Sequence, residues 1–175
     1  MKVEFHKGEG RRYRALVHRP DGCVVAFDGG AYNRVGGPAA ELPHDIAHLV
    51  VEEELGLRSG VWGVLAAGGM FRHATVVAGR RAPQATRRGK EVIARAGDRP
   101  MQAEMLTRAV CDLCAADGDL DPTALRSAVG ERWWSDGVTR LSLERTRQRL
   151  RDAAEQWAEL FPSEVLATSW RLPPP

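Results

Sequence analysis

The chain of 175 residues is 43% hydrophobic and 27% charged, with a formal net charge of +2, which suits one buried core and a single domain over residues 1–175. Its three cysteines are an odd and sparse set, which excludes a secreted disulfide scaffold. No apolar run approaches the roughly 18 residues that a membrane-spanning helix needs, and charges interrupt the N-terminal segment, so we expect a cytoplasmic protein with no membrane partner.

The N-terminal part of the chain has the alternation and turn residues that are typical of strands. Apolar and polar side chains alternate over residues 2–6, 11–19 and 23–27, and the turn sequences KGEG and PDG separate these runs. Short alternating runs joined by Gly-rich and Pro-rich turns predict a small antiparallel meander.

Helical periodicity follows the meander. Residues 70–77 interrupt it and fit either a strand or a loop. Asp121 and Ser142 are predicted helix caps, and Pro122 suits a first helical position. The predicted helices cover residues 42–56, 59–69, 84–97, 101–116, a segment that begins after Asp121, and a long segment from Ser142 to Pro162.

The last predicted element is a strand in the segment VLATSW, residues 165–170. A lone strand needs a partner, and the N-terminal meander is the obvious one. The sequence therefore predicts an α+β fold, in which a small antiparallel β-sheet, made of the N-terminal meander and the C-terminal strand, is packed by five or six α-helices.

The segment LPHDIAHLVVEEELGL, residues 42–57, carries the clearest chemical signal. At about 100° per residue, His44 and His48 share one narrow polar stripe with Glu41, Asp45 and Glu52. Apolar side chains fill most of the remaining arc, so this helix is expected to be buried on most sides. A polar stripe on a buried helix points into a cleft or toward a partner.

Two histidines four residues apart lie one helical turn apart, and both imidazoles can reach one zinc or other divalent ion. His44 and His48 are therefore predicted metal ligands, Asp45 is the candidate general base, and Glu52 can share an ion with His48. Three interpretations stay open: a metal site, a buried polar network without metal, and a solvated face. The candidates for a further ligand from another element are His73, Glu91 and Glu104.

The string HDIAH is similar to the HExxH helix of zincin-like metalloproteases, with Asp45 at the position of that family's glutamate. The resemblance implies that His44 and His48 are zinc ligands and that Asp45 is the base. The same string resembles the HDxxH motif of a family of ubiquinone-biosynthesis proteins, whose later glutamate corresponds to Gly60 here. The longer string LPHDIAHLVVE looks like an uncharacterised bacterial family with a PHDxxH motif.

Residues 72–99 form a basic segment with eight Lys and Arg side chains and two acidic ones. The segment lacks interleaved aromatic residues and matches no nucleic-acid recognition motif, so we expect it to be solvated or paired within the protein rather than bound to nucleic acid.

Two functions follow from these patterns. The first is a metal-dependent hydrolase that acts on a small-molecule or peptide substrate. The second is a non-catalytic interaction or regulatory protein, in which residues 72–99 contact a protein or nucleic acid. A third ligand within about 5 Å of the histidine pair favours the first function, and a solvent-facing pair favours the second.

Overall fold

The computed structural model describes residues 1–31, 42–115 and 118–173. These residues form five strands, six α-helices and a short 3-10 helix (Glu131–Trp133). The strands are β1 (Lys2–Lys7), β2 (Arg12–His18), β3 (Val24–Ala31), β4 (Ala74–Ala78) and β5 (Val165–Ser169). The helices are α1 (His44–Glu54), α2 (Val61–Ala66), α3 (Ala85–Ala96), α4 (Arg99–Ala115), α5 (Pro122–Val129) and α6 (Arg140–Glu159).

The strands make one sheet in the order β4-β3-β2-β1-β5, and every neighbouring pair is antiparallel. The α+β prediction is confirmed, and β5 pairs with the meander as expected. In the register of β1, Phe5 lies between Ala15 of β2 and Leu166 of β5. Gly22 lies in the turn between β2 and β3 and has a left-handed φ of +80°, which glycine adopts without strain.

The two-residue alternation of the strands explains which face of the sheet is buried. Val3 and Phe5 of β1 are buried, as are Tyr13, Ala15 and Val17 of β2, while the side chains between them are partly or fully exposed. These inward side chains join the helices in one apolar core. Helix α1 packs against α4 and α6 and contributes most of its length to that core.

Several boundaries differ from the predicted ones. Residues 70–77 were predicted to be either a strand or a loop. Their last four residues belong to strand β4, Ala74–Ala78. The predicted cap of the long helix at Ser142 is wrong, because α6 begins at Arg140 and Thr139 is its N-cap. Ser142 is the third helical residue, and its hydroxyl accepts the backbone N–H of Thr139 in a capping box. The predicted cap at Asp121 is confirmed, since its side chain accepts the backbone N–H of Thr123.

Two consecutive glutamates at the end of α1 hold this helix against α6 and the C-terminal segment. Glu53 is buried and accepts hydrogen bonds from Arg149 and Arg171, and Glu54 pairs with Arg145 and Arg149. Burial alone would raise the pKa of Glu53, but the two guanidinium groups hold it below its usual value. The ion pairs explain why acidic residues interrupt the apolar arc of a buried helix.

In the described part of the chain, no helix combines the length and the apolar character needed to cross a membrane.

Candidate metal centre

Helix α1 presents His44 and His48 side by side, because residues four apart lie one turn apart on the same face. Their ring centroids are 4.5 Å apart. His48 is buried, with 3% of its side chain exposed, whereas His44 is 23% exposed at the start of the helix. The histidine pair therefore lies at the edge of the core, with one ring inside and one near the surface. Glu41, on the predicted polar stripe, lies outside the described residues.

A third candidate ligand comes from α4, which packs against α1. Oε2 of Glu104 lies 3.0 Å from Nε2 of His48, and Oε1 lies 3.6 Å from Nε2 of His44. Ligand atoms from these three residues all lie within 4.8 Å of one another. The sequence had offered His73, Glu91 and Glu104 for this role, and the structure brings Glu104 to the histidines.

The side chains lie close enough to converge on one ion. Two ligands bound tetrahedrally at the usual zinc distances of about 2.0–2.1 Å lie about 3.3 Å apart. The contacts of Glu104 at 3.0 and 3.6 Å, one through each carboxylate oxygen, fall on either side of that value, and the ligand atoms of the whole group lie within 4.8 Å of one another. Among the described residues, Nε2 of His44 is buried without a hydrogen-bond partner. A buried ring nitrogen without a hydrogen-bond partner is costly, and in the neutral tautomer protonated at Nδ1 this atom can bind a cation.

Glu52 lies on the other side of the His48 ring. Its Oε1 is 3.0 Å from Nδ1 of His48, and its two oxygens accept the backbone N–H groups of Val61 and Trp62 at 3.0 Å each. The side chain is completely buried. Glu52 was predicted to share an ion with His48, but the structure places it outside the group of close ligand atoms and against the remote nitrogen of the ring. There it fixes the orientation of the imidazole.

Gly60 makes room for this carboxylate. A Cβ atom at Gly60 would lie 2.4 Å from Oε2 of Glu52 and 2.5 Å from its Cδ. Because Gly60 has no Cβ atom, the N-terminus of α2 can approach the carboxylate closely enough for the first two amides of the helix to reach it. The position that corresponds to a glutamate in the ubiquinone-biosynthesis motif is thus occupied by a residue that packs against Glu52.

The candidate base Asp45 lies next to His44 but outside the group of close ligand atoms. Its Oδ2 accepts a 2.6 Å hydrogen bond from the hydroxyl of Tyr13, and its backbone oxygen accepts the indole N–H of Trp62. Burial, together with the charge of Asp45, raises the pKa of Tyr13. The phenol therefore stays protonated and acts as the hydrogen-bond donor to Asp45. The sheet thereby holds one oxygen of the Asp45 carboxylate.

Burial and neighbouring groups shift the pKa values of the two histidines in opposite directions. Burial and the neighbouring His48 lower the pKa of His44, which favours its neutral form. Burial alone would also lower the pKa of His48, but hydrogen bonds to Glu104 and Glu52 raise it to about 9. The bond from His48 lowers the pKa of Glu104 to about 2. Complete burial raises the pKa of Glu52, and its three donors oppose that effect.

Three contacts of the site had not been anticipated. Tyr13 holds Asp45, Thr107 places its hydroxyl 3.5 Å from Nδ1 of His48, and Arg108 donates a 2.7 Å bond to Oε1 of Glu104. The alternation of β2 does predict that Tyr13 faces inward. No sequence pattern shows that Thr107 and Arg108 are on the face of α4 that meets α1.

The other residues singled out by the sequence lie elsewhere. His73 is exposed, and Glu91 pairs with Arg87 on α3. The basic segment, residues 72–99, includes β4 and α3, and most of its cationic side chains are exposed. The expectation that this segment does not bind nucleic acid stays a prediction. The three cysteines are buried free thiols.

No protein-family model, curated protein or solved structure matches the sequence.

Proposed function

We propose that this protein is a divalent-metal-dependent hydrolase in which His44, His48 and Glu104 bind the ion. The observation that carries the proposal is the position of the Glu104 carboxylate, whose two oxygens approach one nitrogen of each histidine at 3.0 and 3.6 Å. The partly buried pair and its third ligand favour this function over an interaction protein with a solvent-facing stripe.

Two imidazoles and one carboxylate are a known ligand set of catalytic zinc. Zinc with three protein ligands keeps a fourth position for water or substrate, and it lowers the pKa of that water toward neutrality. His44 and Glu104 are partly exposed, at 23% and 31% of their side chains, so a small-molecule or peptide substrate can approach from the surface. Glu52 keeps the Nε2 atom of His48 directed at the ion.

Asp45 is the proposed general base. Tyr13 binds its Oδ2 atom and leaves Oδ1 to accept a proton from a water molecule. The phenol also limits the rotation of the carboxylate, so the base is oriented before substrate arrives.

The metal proposal is tested by elemental analysis and zinc titration of untagged protein at about pH 7.5, where His44 is neutral. Wild-type protein should bind one ion. The variants His44→Ala, His48→Ala and Glu104→Ala should each lose nearly all of it, and double variants should be little worse, since ligands of one ion are not additive. His73→Ala and Glu91→Ala are the controls. A wild-type protein without stoichiometric metal would rule the proposal out.

The hydrolase proposal needs a separate measurement. Asp45→Asn should keep the metal and lose hydrolysis of a panel of ester and peptide substrates. Loss of metal in Asp45→Asn would instead make Asp45 a ligand. Full hydrolytic activity in that variant would exclude it as the base.

A further inference from the structure

A polar cavity of about 260 Å³ lies beside Gly60, the residue that packs against Glu52 of the candidate metal centre. The loop before α2, the first turn of α4 and Ser135 line it. Gly60 belongs both to its wall and to the packing around Glu52. The side chains that give it its character are those of Arg58, Ser59, Arg99, Gln102 and Ser135.

The cavity carries positive charge without a carboxylate among its lining residues. Arg58 is exposed and has no ion-pair partner in the part of the chain that the structure describes. Asp98, the acidic residue next to Arg99 in the chain, pairs with Arg132 instead. Arg58 and Arg99 therefore give the cavity lining two positive charges that no carboxylate of that lining neutralises.

Arg99 is held in place by buried Gln102. The amide nitrogen of Gln102 donates to the backbone oxygens of Trp133 and Trp134, at 3.3 and 2.6 Å. Its oxygen is then left to accept a 3.0 Å bond from Nη1 of Arg99. Because both ends of the amide are engaged, the guanidinium is oriented before any ligand binds, which reduces the entropy lost on binding.

The hydroxyl groups add further donors. Oγ of Ser135 accepts the backbone N–H of Gly137 at 3.3 Å, so its own proton is available to a ligand. A site of guanidinium and hydroxyl donors selects a group with many acceptor oxygens and negative charge. The guanidinium fork matches phosphate oxygens in a bidentate geometry.

We propose that this cavity binds the phosphate group of a small phosphorylated metabolite. Its volume lies just below the range of about 300–1,000 Å³ that is usual for pockets holding larger ligands, which suits a phosphate with a few attached atoms. The proposal is independent of the metal centre, because none of its anion donors is a proposed metal ligand.

Inorganic phosphate is the probe, added to metal-free protein at low ionic strength so that it cannot bind through a metal. Backbone amide NMR shifts should change at residues 56–60 and at Ser135, and should saturate with one site. Arg58→Ala and Arg99→Ala should each weaken binding by about tenfold or more, as expected for the loss of a charge-assisted hydrogen bond. Arg58→Lys should recover only part of the affinity, because the fork is lost.

Arg95→Ala is the matched control, since it removes one charge from an exposed position on α3 outside the cavity. It should leave the affinity unchanged. Malonate, a dianion without tetrahedral oxygens, should bind more weakly than phosphate. Shifts that do not saturate, equal losses in Arg95→Ala and Arg58→Ala, or equal affinity for malonate would each overturn the proposal.

Discussion

Oε1 of Glu52 lies 3.0 Å from Nδ1 of His48, in a position with no solvent exposure. The carboxylate is in turn fixed by the backbone amides of Val61 and Trp62. The chain of contacts from α2 through Glu52 determines which ring nitrogen of His48 faces Glu104. Orientation of a ligating imidazole by a carboxylate is a common support of metal sites.

The first prediction concerns this support. Glu52→Gln keeps the shape of the side chain but removes its charge. It also brings an NH₂ group toward one of the N–H donors that Glu52 now accepts. Zinc affinity should fall by about 10- to 100-fold, the usual effect of removing such a partner. Competition titration with a chromophoric chelator measures the change. Glu54→Gln, on the same helix but paired with Arg145 and Arg149, should keep wild-type affinity. Equal affinities for Glu52→Gln and wild type would show that Glu52 does not orient His48.

The second prediction concerns Gly60. In Gly60→Ala the added methyl would lie 2.4 Å from Oε2 of Glu52, so the carboxylate or the loop must move. The metal-free protein should lose about 1–3 kcal/mol of unfolding free energy in urea, the usual cost of overpacking. At Gly118 a Cβ atom meets nothing within 4 Å, so Gly118→Ala should change stability by less than about 0.5 kcal/mol. A neutral Gly60→Ala would contradict the close approach.

The third prediction concerns pH. The pKa of His48, about 9, lies above its ordinary value of 6.5, so its proton stabilises the metal-free folded state. That contribution is complete below pH 6.5 and is lost as pH rises through about 9. The difference in unfolding free energy between metal-free wild type and His48→Ala should shrink over this interval.

Zinc affinity should change in the opposite direction over the same interval, because a metal on Nε2 of His48 replaces a proton. Calorimetric titration from pH 6.5 to 9 should show rising affinity with proton release. A zinc affinity that stops rising near pH 6.5, as for an unperturbed histidine, would contradict the proposed bonds from His48 to two carboxylates.

The sequence predicts those parts of the site that depend on local spacing. His44 and His48 are four residues apart on one helix, so their shared face follows from helix geometry alone. Glu104 is 56 residues from His48, and its arrival depends on how α1 packs against α4, which no local pattern encodes. Spacing also cannot show which ring nitrogen Glu52 approaches, so a residue one turn from His48 was interpreted as a ligand.

The same distinction holds for the fold. Alternation and turn residues sufficed to predict β1 and β2, because each signal lies within a few residues. The pairing of β5 followed from a different argument, since a lone strand needs a partner and the meander was the obvious one. The capping box of Thr139 and Ser142 was missed because both residues suit an N-cap, and only the backbone geometry of Thr139 separates them.

The fourth prediction concerns β5. Deleting residues 163–175 removes one of the two partners of β1, buried Trp170 and the bonds from Arg171 to Glu53. Loss of a buried tryptophan alone costs about 3–5 kcal/mol, so the melting temperature should fall by about 6 °C or more. A thermal scan by circular dichroism measures this. An unchanged melting temperature would contradict the position of β5 in the sheet.

The place of β5 also has a consequence for synthesis on the ribosome. Strand β1 is synthesised before β5 and becomes an inner strand only once Thr168 pairs opposite Val3. At about 5–20 residues per second, the backbone of β1 waits on the order of ten seconds with one edge unpaired. An unpaired edge recruits other strands, so the nascent chain passes through an interval in which association between copies competes with folding.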